Sequence, residues 1–291
     1  MPRTQILYHG GCPDGFGAAF AAWLKLGDEA DYIPCNYGGP PPDMPEGAPV
    51  RILDFSFPRA TLLAMKERHP NLVVVDHHKT AQADLDGLDF CIFDMEHSGA
   101  TLAWAWFNGS DPGDAPRFLR YIEDRDLWRW RLEWSKEISA WLFSHPRDFA
   151  TWKRLYDSFE VESPTSAGGV VRSLNRMNVQ EGVAILRARD QFVESICEGV
   201  IWVEIANHIV PAANTSVLFS EVPTRLLELH PSAPFAASFR NLDGKQVWSL
   251  RSTDNRVDVS AVAKRFGGGG HRNAAGFTVG YGRAPLIPRE G

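Results

Sequence analysis

Three short apolar runs in the N-terminal part of the chain stop on acidic or imidazole side chains. ILY at residues 6–8 runs into His9, RIL at 51–53 into Asp54, and VVV at 73–75 into Asp76, His77 and His78. Between them lie helix-forming stretches. GAAFAAWLKLG (17–27) is closed by a glycine, and ATLLAMKERH (60–69) is amphipathic with basic last turns. FCIFD (90–94) reads as a further strand, and Ser98 is placed to cap the helix GATLAWAWF. Strands separated by helices of this length predict an α/β fold with a parallel sheet of βαβ units. In such sheets ligands bind beyond the carboxyl ends of the strands. The pattern therefore delivers His9, Asp14, Asp54, Asp76 and His77 to one edge. Packing gives no reason for such a set, and crowded carboxylates repel unless a cation joins them. Carboxylates outnumbering imidazoles suit Mn²⁺ or Mg²⁺ better than a thiolate-preferring metal.

Other polar residues have ordinary readings. Asp94 fits a helix cap, as Asp14 taken alone would, and His69, His97, His145, His208 and His230 read as core or surface histidines. From about Arg117 to Gly199 the chain reads almost entirely helical, with no strand signal over 166–198. Strand-like VIWVEIAN (200–207), PFAASFRN (234–241) and QVWSLRS (246–252) then alternate with helix-like SEVPTRLLELH and VDVSAVAKRF, which predicts a second α/β domain. The expected organisation is a first domain over 1–165, a helical connector over 166–199 and a smaller domain over 200–285.

At 44% hydrophobic and 23% charged, the 291 residues are not a disordered chain. No apolar run is long enough to span a membrane, and MPRTQILYHGG has no signal-peptide apolar region. Cys12, Cys35, Cys91 and Cys197 are scattered, which fits a reducing cytoplasm. The net charge of −6 argues against holding duplex nucleic acid by bulk electrostatics. Residues 240–291, however, carry nine Lys or Arg against four Asp or Glu, so the preceding 239 residues are strongly acidic.

VVVDHHKT resembles the Asp-His-His signature of the DHH phosphoesterases. HGGCPDGFGAA is similar to their first motif, LDF at Leu53–Phe55 to their second, and YIEDRDLW to their fourth, where Asp124 takes the aspartate role with Asp126 as the alternate. FGGGGHRNAAGF (266–277) resembles the glycine-rich signature of the DHH-associated C-terminal domain. The resemblance runs from residue 9 to residue 277. It implies a parallel-sheet DHH domain, a smaller C-terminal domain and an active site in the cleft between them. It further implies two divalent cations, Mn²⁺ first with Mg²⁺ or Co²⁺ as alternatives, held by His9, Asp14, Asp54, Asp76, His77 and Asp124. Asp76, His77 and His78 are then the catalytic group, with His78 orienting substrate. Cys12 departs from the pattern by standing where the family's first aspartate is usual. It is a thiolate ligand, a filler of that space, or the mark of a weakened metal site, and the hard character of the other donors favours the filler.

In the second domain the glycine run exposes backbone N–H groups that suit close approach of a phosphate or base, and the resemblance implies Gly268, Gly269, Gly270 and His271 as substrate contacts, with Arg251 and Arg272 as further cations. Seven of the ten tryptophans lie between Trp104 and Trp152. Most suit packing, and a stacking role on bases is a minority reading for Trp128 and Trp130. The expected activity is metal-dependent hydrolysis of phosphodiester bonds in short oligonucleotides or cyclic or linear dinucleotides. The alternatives are a pyrophosphatase or polyphosphate hydrolase, and a non-catalytic nucleotide-binding protein. Expected partners are a nucleotide, dinucleotide or short single strand, with no membrane and no stable duplex.

Overall fold

The computed structural model describes residues 2–164, 170–281 and 285. Residues 166–169 of the expected connector and 282–284 of the expected second domain lie outside them. The chain divides into two compact units, Met1–Leu186 and Arg187–Gly291. No helix among the described residues is long and apolar enough to cross a membrane.

The first unit opens with β1 (Thr4–His9), α1 (Pro13–Leu26), β2 (Ala30–Cys35), β3 (Val50–Leu53), α2 (Arg59–Arg68), β4 (Val73–Asp76), α3 (Lys79–Asp84), β5 (Cys91–Phe93) and α4 (Gly99–Asn108). The five strands form one sheet in the order β2-β1-β3-β4-β5, and every pairing is parallel. The expected parallel α/β architecture is thus present. β2 gave no strand signal because Pro34 interrupts it. Proline cannot donate to a ladder, which confines it to a sheet edge, and β2 is the edge strand.

Alternation along the strands builds a core on each face. Ile6, Leu53 and Val75 point into one cluster with Phe16 and Phe20 of α1 and Leu102 of α4. Leu7, Ile52 and Val74 point into the other with Leu62 and Met65 of α2. The chain runs from β1 outward to β2, then returns to lay β3, β4 and β5 on the opposite side. The switch point lies between β1 and β3, where open α/β sheets leave a crevice.

Next come α5 (Arg117–Asp126), α6 (Ser135–Phe143) and α7 (Phe149–Asp157), whose Phe118, Tyr121, Trp141 and Trp152 complete the first core. The stretch expected to be almost entirely helical is then broken by β6 (Glu160–Pro164) and β7 (Val170–Leu174), which pair antiparallel. Of their side chains only Leu174 is buried, so the alternation that marks a half-buried strand is absent from this sequence. α8 (Arg176–Cys197) follows, and the division between the units falls within it.

The second unit contains β8 (Ile201–Ile205), β9 (His208–Asn214), α9 (Glu221–Leu229), β10 (Ala236–Leu242), β11 (Lys245–Arg251), α10 (Val259–Lys264), β12 (Gly269–His271) and β13 (Ala274–Gly280). Its sheet order is β12-β13-β11-β10-β9-β8, antiparallel except for the β9–β10 pair. Val259 and Val262 of α10 pack on one face with Phe239, Trp248 and Phe277. Val222 and Leu226 of α9 pack on the other with Ala213 and Ala236.

Candidate metal centre

Asp54 follows β3 and has φ 61°, a left-handed conformation that an aspartate tolerates better than most residues. Its amide still donates to Val75 O (3.0 Å), which keeps it against β4. Gly99 approaches so closely that a Cβ there would lie 2.4 Å from Asp54 Cβ. The start of α4 therefore requires glycine.

α4 is capped by an unexpected residue. Ser98 occupies the N-cap position but makes no capping bond. Asp14, from the start of α1, accepts from Gly99 N (2.7 Å), Ala100 N (3.1 Å) and the Ser98 hydroxyl (2.6 Å). One carboxylate thus ties α1 to α4 and still faces the strand ends, where its Oδ2 is 3.6 Å from His77 Nε2.

His77 stands among three carboxylates. Its Nε2 is 3.0 Å from Asp54 Oδ1 and 3.6 Å from both Asp14 Oδ2 and Asp126 Oδ2. Burial disfavours its charged form. The hydrogen bond to Asp54 and the charges of Asp126, Asp54 and Asp14 outweigh that and push its pKa up to about 10. Hydrogen bonds to His77 and His9, with the charges of His77 and His78, hold Asp54 well below the usual carboxylate range despite its burial. Burial and the charges of Asp54 and Asp126 raise Asp14, and burial with Asp54 raises Asp126.

Asp76, at the end of β4, is fully buried. Its Oδ1 accepts from His77 N (2.7 Å) and His78 N (3.3 Å) and bonds His78 Nδ1 (2.7 Å). Its Oδ2 is buried without a hydrogen-bond partner, an expensive condition for a carboxylate oxygen. The ligand atoms of Asp14, His77 and Asp126 lie within 4.8 Å of one another, as do those of Asp54, Asp76 and His78 and those of His9, Cys12 and Asp54. Carboxylate oxygens and imidazole nitrogens in adjoining groups, one oxygen unsatisfied, fit a hard divalent cation.

His9 reaches Asp54 Oδ2 at 3.6 Å, and its Nδ1 lies 3.2 Å from Cys12 Sγ. The Cys12 thiol donates to Asp54 Oδ2 (3.2 Å) and accepts from Gly15 N (3.2 Å), so it caps α1. Burial, followed by the charges of Asp54, Asp14 and Asp126, pushes the thiol well above its usual range. It is a neutral thiol in this setting.

The fourth motif divides differently from the sequence assignment. Asp124 is not in the cluster: its carboxylate accepts from Arg131 N (3.0 Å), Leu132 N (3.3 Å) and the Ser135 hydroxyl. Its backbone oxygen accepts from Arg129 N (2.8 Å) and Trp130 N (3.3 Å). Asp126, two residues on, is the one that faces His77. Both lie at the C-terminal end of α5, and only the fold of the following loop tells them apart. The loop is unusual in that Trp128, Trp130 and Trp134 have φ of 55°, 53° and 56°. A bulky side chain in that region costs about 1–3 kcal/mol, which the bonds to Asp124 offset.

Two further residues gave no sequence signal. Tyr37 lies edge-on to His9 (5.1 Å) and His78 (5.9 Å). Glu123 holds His97 Nδ1 (3.1 Å) and Ser98 N (3.1 Å), bracing the loop before α4. Both lie outside the strand-end pattern that identifies the others.

In the second unit, Gly268 lies where a Cβ would come 2.1 Å from Gly276 O, so close strand approach requires it. Gly269, Gly270 and His271 form β12. Arg272 donates to Asp254 O (2.9 Å) and Arg256 O (3.1 Å), and Arg251 to Ser249 Oγ (3.2 Å) and Leu250 O (2.8 Å).

No protein-family model matches the chain. It is 30% identical, over an alignment of 291 residues, to the uncharacterized protein R106 of Acanthamoeba polyphaga mimivirus, covering 94% of this chain and 66% of that one. It is 24% identical to the oligoribonuclease NrnB of Bacillus subtilis (strain 168) over 227 residues, 71% of this chain and 52% of that protein. The chain thus spans about half to two thirds of the length of these relatives. Its fold is similar to that of an exopolyphosphatase-related protein from Bacteroides fragilis, with TM-score 0.53, 14% identity, and coverage of 97% of this chain and 88% of that one.

Proposed function

We propose that the chain is a metal-dependent phosphoesterase of the DHH type that hydrolyses phosphodiester bonds in dinucleotides or short single-stranded oligonucleotides. The observation that supports this most is the buried, unpartnered Oδ2 of Asp76 beside the carboxylates gathered around His77. The relative named as an oligoribonuclease agrees with the substrate class.

Asp14, Asp126 and His77 form one part of the cation site, and Asp54, Asp76 and His78 the other, with His9 supporting Asp54. A divalent metal held by these residues, Mn²⁺ foremost, would supply Lewis-acid polarisation of a phosphoryl oxygen and a water of lowered pKa. Asp76 Oδ1 fixes both histidines through their backbone and side-chain nitrogens. His78, bonded at Nδ1 to Asp76, orients a phosphoryl oxygen. Cys12, neutral and bonded to Asp54, fills space without ligating. His271 with Gly268, Gly269 and Gly270 contacts the substrate away from the scissile bond. Arg251 and Arg272 add positive charge there.

A panel of dinucleotides, short RNA, short single-stranded DNA, nucleoside bisphosphates and pyrophosphate, each with Mn²⁺, Mg²⁺ or Co²⁺, tests the reading. Release of nucleoside monophosphate from the dinucleotides is the expected result. Release of phosphate from pyrophosphate alone would make it a pyrophosphatase. Nucleotide binding without turnover under any metal would make it a binding protein.

A further inference from the structure

The chain places aromatic and basic side chains in strict alternation, Trp128-Arg129-Trp130-Arg131, starting two residues after the aspartate that faces His77. Five other tryptophans of this unit are used for packing: Trp141 and Trp152 lie within the first core, and Trp23, Trp104 and Trp106 pack against it. Trp128 and Trp130 lie outside that core, and Trp128 is 40% exposed. Their rings meet edge to face, with centroids 5.0 Å apart and planes at 73°. Such a contact covers one face of one ring and leaves π-faces for another planar group. Lys136 Nζ lies 5.9 Å from the Trp130 ring, and Arg129 is tied to Glu96 O (2.6 Å) and Glu123 (3.5 Å).

The backbone makes the choice of residue informative. A chain that only needed to turn here would use glycine or asparagine at positive φ. This one holds tryptophan at φ 55° and 53°, on a loop fastened by Asp124 through Arg129, Trp130, Arg131, Leu132 and Ser135. The rings are presented in a fixed position, two and four residues beyond Asp126.

We propose that Trp128 and Trp130 form a stacking platform for one nucleobase of the substrate, with the exposed Arg131 beside its flanking phosphate. Every base has a π-face, so a platform of this kind binds nucleotides with little preference for sequence and discriminates against phosphate esters that lack a base. The proposal rests on the phosphoesterase reading and adds that the substrate carries a base.

The test compares kcat/KM for a ribodinucleotide with that for the same compound lacking its bases, in Mn²⁺. The ratio of the two falls about tenfold in Trp128→Leu and in Trp130→Leu, the lower end of what one stacked base contributes. Trp128→Phe, which keeps a ring, recovers most of the ratio. An unchanged ratio, or an equal loss on both compounds, overturns the platform and leaves the tryptophans a structural role. If the wild-type chain turns over neither compound, the phosphoesterase reading fails on its own. The platform is then judged by calorimetry with the dinucleotide. A Kd about tenfold weaker in Trp128→Leu supports it. An equal Kd, or no binding by the wild type, overturns it.

Discussion

Asp124 and Asp126 are two residues apart on one helix end, yet the fold gives them opposite work. Asp124 spends both carboxylate oxygens on the loop after α5, and Asp126 turns its Oδ2 toward His77. Asp126→Asn is expected to lower Mn²⁺ affinity by more than about 100-fold, beyond the range typical of a ligand's hydrogen-bonding partner. Asp124→Asn leaves that affinity unchanged and costs about 1–3 kcal/mol of stability from broken bonds to the loop. Equilibrium dialysis with denaturant unfolding checks both, and the reverse pattern would restore Asp124 as the ligand. His77 carries a second prediction. Its pKa of about 10 means that it holds a proton at neutral pH while no cation is bound. A metal that takes His77 as ligand must displace that proton. Binding at pH 7 therefore releases close to one proton through His77, and affinity rises with pH up to about 10. Calorimetry in buffers of different ionisation enthalpy reads the release directly, and binding with no proton release would remove His77 from the ligand set.

At the scale of elements, the strand ends were legible because hydrophobic alternation and abrupt polar stops are written locally. β1, β3 and β4 and the residues at their ends follow from that pattern. What was not legible depends on approach between segments distant in sequence. Ser98 reads as the cap of α4, but the cap comes from Asp14, 84 residues earlier. β2 was hidden by Pro34 at a sheet edge, and β6 and β7 by the near absence of buried positions. Gly99 shows the same limit, since nothing in GATLAWAWF says that its first residue faces Asp54. Gly99→Ala puts a methyl 2.4 Å from Asp54 Cβ. The expected cost is at least about 1–3 kcal/mol, the range for overpacking. Because Asp54 must shift, Mn²⁺ affinity falls with stability. Denaturant unfolding and dialysis on the same preparation separate this from simple helix weakening, in which affinity would hold.

For the whole molecule, the order of elements alone predicted two α/β units, and the division at Leu186 and Arg187 falls inside a helix where composition gives no break. The acidic excess of the chain preceding residue 240 has a local meaning in the first unit, where Asp14, Asp54, Asp76 and Asp126 surround two histidines. The central claim is that this cluster binds a divalent cation in order to hydrolyse a phosphodiester. Its most direct test is the rate of nucleoside monophosphate release from a dinucleotide as free Mn²⁺ is raised, in the wild-type chain and in Asp76→Asn. The substitution preserves the shape at the end of β4 and replaces the buried, unpartnered Oδ2 with an amide. The account predicts no release in chelator, a saturable rise with Mn²⁺ in the wild type, and no rise in Asp76→Asn. Release that persists in chelator, or an equal rise in both proteins, would contradict it.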